Sequence, residues 1–223
     1  MSSRAFRPTL HTELALRDTI GPLVAGLDEV GRGAWAGPVV AAAIILPLDD
    51  PALTERLAGV RDSKLMTPAG REAALPLIQA AAVAVGVGIV EVEGVDRLGI
   101  LQATKTAMQQ ALDQLTPPPH ALLLDAVTLA CDLPQTAFPR ADRLCLSVAA
   151  ASVVAKVTRD RLMAAYDAVY PGYGFGRHKG YGTAAHAQAL QALGVCPLHR
   201  RSFAPVQAVQ LALNFTESTN EHE

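Results

Sequence analysis

The sequence, 223 residues long, is short of the features that mark secreted, membrane-spanning or metal-stapled chains. It has three cysteines, Cys131, Cys145 and Cys196, odd in number and far apart. They fit neither a disulfide framework nor a zinc pattern, and a reducing cytoplasm is the simplest compartment. Long apolar runs are also missing. The stretch between Glu72 and Glu91 is uncharged but broken by Pro76, Gln79, Gly86 and Gly88, and the run 34–48 is split by Gly37-Pro38, so neither is expected to span a bilayer. Arg4 and Arg7 near the N-terminus are not followed by an apolar block with a small-residue cleavage site, so nothing points to secretion. Aromatic residues make up only 4% and charged residues 18%, with a net charge of −2, which taken alone argues weakly against a polyanionic partner. Repeats and low-complexity blocks are absent.

Half of the residues are hydrophobic, enough for the core of one globular domain. Charge is unevenly spread. Residues 156–201 hold 7 Lys/Arg against 2 Asp/Glu and include His178, His186 and His199, whereas residues 1–155 hold 12 against 16. An anionic ligand suits the basic stretch, although a solvated helix face gives the same count.

The apolar run 23–27 reads as a strand leading into Asp28-Glu29, and the β-branched run 39–46 as a second strand in a hairpin with it. Residues 82–92 read as a third strand, 96–115 as a helix ended by Pro117-Pro118-Pro119, 121–124 as a short buried strand closed by Asp125, and 144–148 as a further strand. An Ala-rich helix then runs through Ser152, Lys156 and Asp160 to about Val169. Residues 171–182 contain five glycines and form a loop. Strands in a hairpin followed by strands alternating with helices give a mixed α/β sheet flanked by helices. We expect an N-terminal segment over 1–20, one catalytic domain over 21–215 whose helical C-terminal part spans about 165–215, and a disordered tail over 216–223.

Acids at strand ends are the first candidates for chemistry. Asp28, Glu29 and Asp125 close buried strands, where a carboxylate is costly unless hydrogen-bonded, paired or holding a cation. Three such groups together repel unless a divalent metal neutralises them; each alone is also a common turn or helix cap. Neighbours on a regular strand point to opposite faces, so Asp28 and Glu29 share one site only if the strand ends or bulges there, which Gly31 and Gly33 permit. Gly31-Arg32-Gly33 lets backbone groups approach a ligand and adds a cationic fork, or is an ordinary turn. It lacks the further glycine of a dinucleotide fingerprint and the Gly-Lys-Ser/Thr of a phosphate loop. Asp160 follows the apolar residues 148–155 on the same helix and is expected to face inward, unless it forms a surface pair with Lys156. Tyr173, Phe175 and Tyr181, with Phe203 further on, interleave with Arg177, His178 and Lys179, as a nucleic-acid groove requires, although Tyr173 and Phe175 are better read as pins of the loop to the core.

Gly26 to Gly33 (Gly-Leu-Asp-Glu-Val-Gly-Arg-Gly), Gly37-Pro38 with the apolar run after it, Asp62-Ser63-Lys64, Leu124-Asp125, the block from Ala150 to Asp160, His178-Lys179-Gly180-Tyr181-Gly182-Thr183 and His199 to Phe203 together resemble bacterial ribonuclease HII. The blocks stand in family order over about 23–206. The resemblance implies a ribonuclease H-like fold with a helical C-terminal extension. It also implies endonucleolytic cleavage of RNA paired to DNA and nicking 5′ of ribonucleotides embedded in duplex DNA, a task of DNA replication and repair, leaving 3′-hydroxyl and 5′-phosphate ends. It places four metal-binding acids on Asp28, Glu29, Asp125 and Asp160, holding two Mg²⁺ or Mn²⁺ ions. It assigns recognition of the 2′-hydroxyl to the backbone of Gly31, Arg32 and Gly33, packing on the following deoxyribose to Tyr181, and a contact near the phosphates to Lys64. The expected partners are hybrid and ribonucleotide-containing duplexes, with no membrane, and the enzyme is expected to be monomeric and cytoplasmic. A nuclease for all-DNA junctions and a hybrid-binding protein without catalysis are the alternatives. The chain departs from the family at Leu65, where a second lysine is common, at Ala34-Trp35 for Pro-Leu, at Ala126 for glycine and at Gly99 for asparagine.

Overall fold

A computed structural model describes residues 7–211, so the expected tail over 216–223 lies outside the described residues. The chain forms two compact units, one built from residues 7–30, 40–89 and 104–158, the other from 31–39, 90–103 and 159–211.

The first unit holds a five-stranded sheet in the order β3-β2-β1-β4-β5, from β1 (Val24–Val30), β2 (Val39–Ile45), β3 (Ala84–Val90), β4 (Ala121–Asp125) and β5 (Gln135–Phe138). β1 and β2 are antiparallel, as the hairpin reading expects, while β1 pairs parallel with β4 and β4 parallel with β5. Every residue of β2 is buried. Apolar side chains on both faces demand helices on both faces, and the chain supplies α1 (His11–Thr19), α2 (Leu53–Arg56), α3 (Pro68–Ala81), α5 (Ile100–Asp113), α6 (Ala141–Leu144) and α7 (Leu146–Val169), of which α5 and α7 continue into the other unit. Gly26 on β1 lies so close to the Ser147 and Val148 backbone of α7 that a Cβ would clash. Gln110 and Gln114 of α5 complete the edge strand β3: their side-chain amides bond the backbone of Ile89 at 3.0 Å and of Val87 at 3.2 and 2.7 Å, which occupies an otherwise open edge. Glu13 of α1 is fully buried and accepts from the Ser147 N–H and hydroxyl at 2.9 and 2.8 Å, its carboxyl pushed up by burial.

The second unit contains α4 (Val92–Leu98), the C-terminal part of α7, α8 (Phe175–His178) and α9 (Ala184–Leu193) around a core of Ala36, Met163, Tyr173, Phe175, Cys196 and Leu198. Tyr173 and Phe175 are therefore core pins, as the composition of their loop implied.

Two expectations change. The helix over 96–115 is two helices, because Gly99 adopts φ 76° and ψ 157°, a conformation essentially restricted to glycine, and closes α4 before α5 begins. Residues 144–148 are not a strand but the end of α6 and the first turn of α7. Residues 145–148 are all buried, and a short run buried throughout has no period that separates strand from helix. Among the described residues no helix is long and apolar enough to cross a membrane.

Candidate active site

β1 and β4 stop pairing at the Leu27–Leu124 rung, so Asp28 and Asp125 are the next residue on each of two neighbouring parallel strands. In-register residues of adjacent strands project to one face. The antiparallel ladder of β1 with β2 runs unbroken through Asp28–Ala42, Glu29–Ala41 and Val30–Val40. Hence no bulge lies at the acid pair itself, and the chain leaves the sheet only at Gly31, with φ 94°.

Asp28 is only 3% exposed. Burial first, then the charge of Glu29, pushes its carboxyl well above the ordinary range, with Asp142 adding to the repulsion, while a Ser152 bond and the Glu29 N–H, donated to Oδ1 at 2.8 Å, oppose the rise. Asp125 accepts from the Ala141 N–H at 3.2 Å, which ties the end of β4 to α6. The next residue of that helix, Asp142, is 3% exposed. Its carboxyl is pushed up to about 6 by burial, by the charges of Asp62 and Asp125 and by a hydrogen bond with Asp62, against the pull of Lys64. Lys64 sits on the 3-10 turn Ser63–Leu65, whose position is set by the Ser63–Ser152 hydroxyl bond of 2.7 Å and by Arg71, which donates to Ser63 O at 2.9 Å. Burial acts to lower the Lys64 ammonium, but the summed field of Asp28, Asp142, Asp62 and Asp125 overcomes it and leaves the group raised. Asp62 is held by the Lys64 N–H at 2.9 Å and by Arg143 Nε at 3.1 Å.

The first unit thus gathers Asp28, Asp125 and Lys64, and with them Asp142, an acid that the sequence reading passes over; Glu29 adjoins Asp28 on an unbroken strand rather than at the expected bulge, and acts on it through its charge. Its signal is weak: flanked by Arg140, Ala141 and Arg143, it reads as an exposed helix-start acid. Asp160 belongs to the second unit, where its backbone carbonyl accepts from Lys179 Nζ at 3.3 Å. Among the described residues no three His, Cys, Asp or Glu side chains form a ready-made metal cage. The donor set itself, carboxylate oxygens at the carboxyl ends of parallel strands, suits a hard divalent cation.

The second unit carries the other expected residues. Arg159 and Arg200 are both fully buried. Arg200 donates to Gly37 O from Nε and Nη2 at 3.0 and 2.8 Å and to Arg32 O at 3.0 Å, and Arg159 donates to Pro38 O at 2.8 Å and Ala36 O at 3.0 Å. Two guanidiniums therefore shape the glycine-bearing turn from beneath. Tyr181 forms an antiparallel bridge with Ala34. Arg32 is exposed, and so is Leu65, at 54%.

With this geometry in place, known proteins supply the identity. The family model described as Ribonuclease HII matches residues 25–206. The chain belongs to the ribonuclease HII family. Ribonuclease HII of Chloroflexus aurantiacus is 54% identical over 191 residues, 85% of this chain and 90% of that protein. Ribonuclease HII of Geobacillus kaustophilus is 53% identical over 186 residues, 83% of this chain and 70% of that protein. The solved ribonuclease H2 of Pyrococcus horikoshii OT3 superposes with a TM-score of 0.71 at 25% identity, covering 86% of this chain and 99% of that one. Bst-RNase HIII, solved in complex with Mn²⁺, matches in fold with a TM-score of 0.66 at 19% identity over 87% of this chain and 71% of that one. This ribonuclease HII is accordingly a ribonuclease H hydrolase with a mixed sheet and a helical C-terminal region.

One departure from the family pattern has a measurable cost. Ala126, where the resemblance leads one to expect glycine after Asp125, adopts φ 60°. The left-handed region costs a residue with a Cβ about 1–2 kcal/mol. Ala126→Gly is expected to raise stability by about 1 kcal/mol, read as the shift of the urea midpoint.

Proposed function

We propose that this ribonuclease HII cleaves the RNA strand of RNA–DNA hybrids and nicks duplex DNA on the 5′ side of an embedded ribonucleotide, with two divalent ions, Mg²⁺ or Mn²⁺, held by Asp28, Glu29, Asp125 and Asp142. The observation that carries this reading is the acid cluster formed by the ends of β1 and β4 and the start of α6, in which the Ala141 N–H ties Asp125 to α6 and burial and neighbouring acids push up the carboxyls of Asp28 and Asp142. Such a cluster is stabilised by divalent charge, and its oxygen donors suit Mg²⁺ and Mn²⁺. When bound, the ions supply an activated water and stabilise the departing 3′ oxygen.

The chain's own residues do the rest. Asp28, Glu29, Asp125 and Asp142 act as ligands, so no nucleophilic Ser or Cys is needed. Asp142 takes the fourth place in preference to Asp160, because it acts on both Asp28 and Lys64. Lys64 offsets part of the negative charge and stands ready for a backbone phosphate. The backbone of Gly31, Arg32 and Gly33 senses the 2′-hydroxyl, which makes cleavage depend on sugar rather than base. Tyr181 packs on the next deoxyribose. Basic residues of 156–201 hold phosphates without sequence preference. The enzyme acts as a monomer in the cytoplasm.

The test is a labelled duplex carrying one ribonucleotide, incubated with Mg²⁺ or Mn²⁺ beside an all-DNA control. A nick 5′ of the ribonucleotide is expected, ending in 3′-hydroxyl and 5′-phosphate, and Asp28→Asn is expected to remove it while the duplex still binds. Cleavage of the all-DNA control would identify an all-DNA junction nuclease instead. Tight binding with no cleavage in either metal would identify a hybrid-binding protein.

A further inference from the structure

Arg159 touches both elements assigned to substrate recognition. Its Nε donates to Pro38 O at 2.8 Å and its Nη2 to Ala36 O at 3.0 Å, on the segment that begins with the glycine-rich turn. Its Nη1 donates to Lys179 O at 2.8 Å, and its guanidinium carbon lies 5.3 Å from the centroid of the Tyr181 ring, within cation–π range. Gly31 rests directly on it: a Cβ there would collide with Arg159 Nε and stand 2.8 Å from Arg159 Cδ. The side chain is fully buried, so the fork is desolvated and its geometry rigid.

A planar group bonded to two segments at once fixes the distance between them. We propose that Arg159 is a positioning residue that sets the spacing between the Gly31–Gly33 turn and the Tyr181 ring, and thereby the preference for a ribonucleotide followed by a deoxyribonucleotide. The inference rests on the proposed roles of that turn and that ring. A turn that reads one sugar and a ring that packs on the next must be one nucleotide apart, and no backbone bond of either element alone can enforce that. The Ala34–Tyr181 bridge and the Trp35 N–H bond to Gly180 O at 2.8 Å align the two segments, and Arg159 fills the space beneath them. Lysine at this position keeps the charge but not the fork.

The experiment measures kcat/KM for two substrates, a duplex with a single embedded ribonucleotide and a hybrid with a continuous RNA strand, and takes their ratio. A ratio is insensitive to the fraction of folded enzyme, so a merely structural role leaves it unchanged. Arg159→Lys is expected to lower the ratio about tenfold, the scale of one desolvated cation–π contact. Combined with Tyr181→Ala it is expected to add nothing further to the loss that Tyr181→Ala causes alone. Gly180→Ala perturbs the same spacing with Arg159 intact, because its Cβ meets Ala36 O, and it keeps the test open if Arg159→Lys does not fold; it too is expected to lower the ratio. If Tyr181→Ala lowers the ratio while Arg159→Lys and Gly180→Ala leave it unchanged, the proposal is overturned and the reading of Tyr181 stands. If Tyr181→Ala itself leaves the ratio unchanged, both fall.

Discussion

Asp142→Asn is expected to reduce metal-dependent cleavage of the ribonucleotide-containing duplex by about a thousandfold while making the metal-free enzyme more stable. The two effects share one cause. Ionised Asp142 lies among Asp62, Asp125 and Asp28, and its raised carboxyl, about 6 against an ordinary 3.8, means that the folded state holds its proton more tightly than the unfolded chain does. At neutral pH that group therefore destabilises the fold, and removing its charge returns about 1–3 kcal/mol. In the metal-loaded enzyme the same charge is a ligand. Its loss forfeits several kcal/mol of transition-state stabilisation, which is about a thousandfold in rate. Cleavage kinetics and thermal melting on the same preparation check both, and Mg²⁺ or Mn²⁺ is expected to raise the melting temperature of the unsubstituted enzyme more than that of the variant. Asp160→Asn is the comparison. A loss equal to that of Asp142→Asn, without the gain in metal-free stability, would return the fourth ligand position to Asp160.

Acid is expected to loosen the second unit between about pH 6.5 and pH 4, and the reason is a chain of hydrogen bonds that tolerates only one proton arrangement. His186 Nδ1 faces Tyr181 O at 3.0 Å, so it must carry the proton and donate. His186 Nε2 is then an acceptor, and His199 Nε2, 3.1 Å away, must donate to it. That leaves His199 Nδ1 to accept from the Cys196 N–H at 3.0 Å, with the Cys196 thiol 3.1 Å away. A proton added to either ring sets donor against donor. His178 stacks on His186 with centroids 4.3 Å apart, and Trp35, Phe175 and Tyr173 complete the surroundings. Burial, with the neighbouring histidines, accordingly lowers His199 from 6.5 to about 4, and burial lowers His186.

The unfolded chain takes up these protons near pH 6.5 and the folded unit refuses them until far lower, so the stability that the pair contributes is complete above pH 6.5 and lost as pH falls, by up to about 1.4 kcal/mol per pH unit for each ring. Over the interval this amounts to about 3 kcal/mol for His199. Asp28, Asp142 and Glu13 act with the opposite sign in the first unit, since acids with raised values gain protons in the folded state. Hydrogen exchange resolved by residue, corrected for the intrinsic rate, separates the two. Protection over 178–200 is expected to fall as pH drops from 6.5 to 4 while that of β1 and β4 is held or gains. Uniform loss in both units would remove the histidine chain from the account.

Local pattern and local chemistry were enough to locate most of the sheet and three of the acids. An apolar run placed β1, a β-branched run placed β2 and with it the hairpin, the apolar 121–124 run placed β4, and the acids closing β1 and β4 were legible because a charge at the end of a buried strand calls for compensation. The Ala-rich run marked α7, and the glycines marked the turn at Gly31 and the loop near Tyr181. Other features emerged only on packing. Asp142 and Glu13 look in the sequence like ordinary helix-start acids, and they become unusual through neighbours that the fold brings from distant segments: Asp62 and Asp125 for one, Ser147 for the other. Arg159 and Arg200 read as members of a basic patch, yet both are buried and spent on backbone carbonyls. The run at 144–148 reads wrongly as a strand because residues 145–148, buried together, show no period that separates strand from helix. Periodicity and composition are properties of a segment. Burial, partner identity and the charge each group feels belong to the packed molecule, and they govern which acids bind, which cations hold the scaffold and which histidines stay neutral.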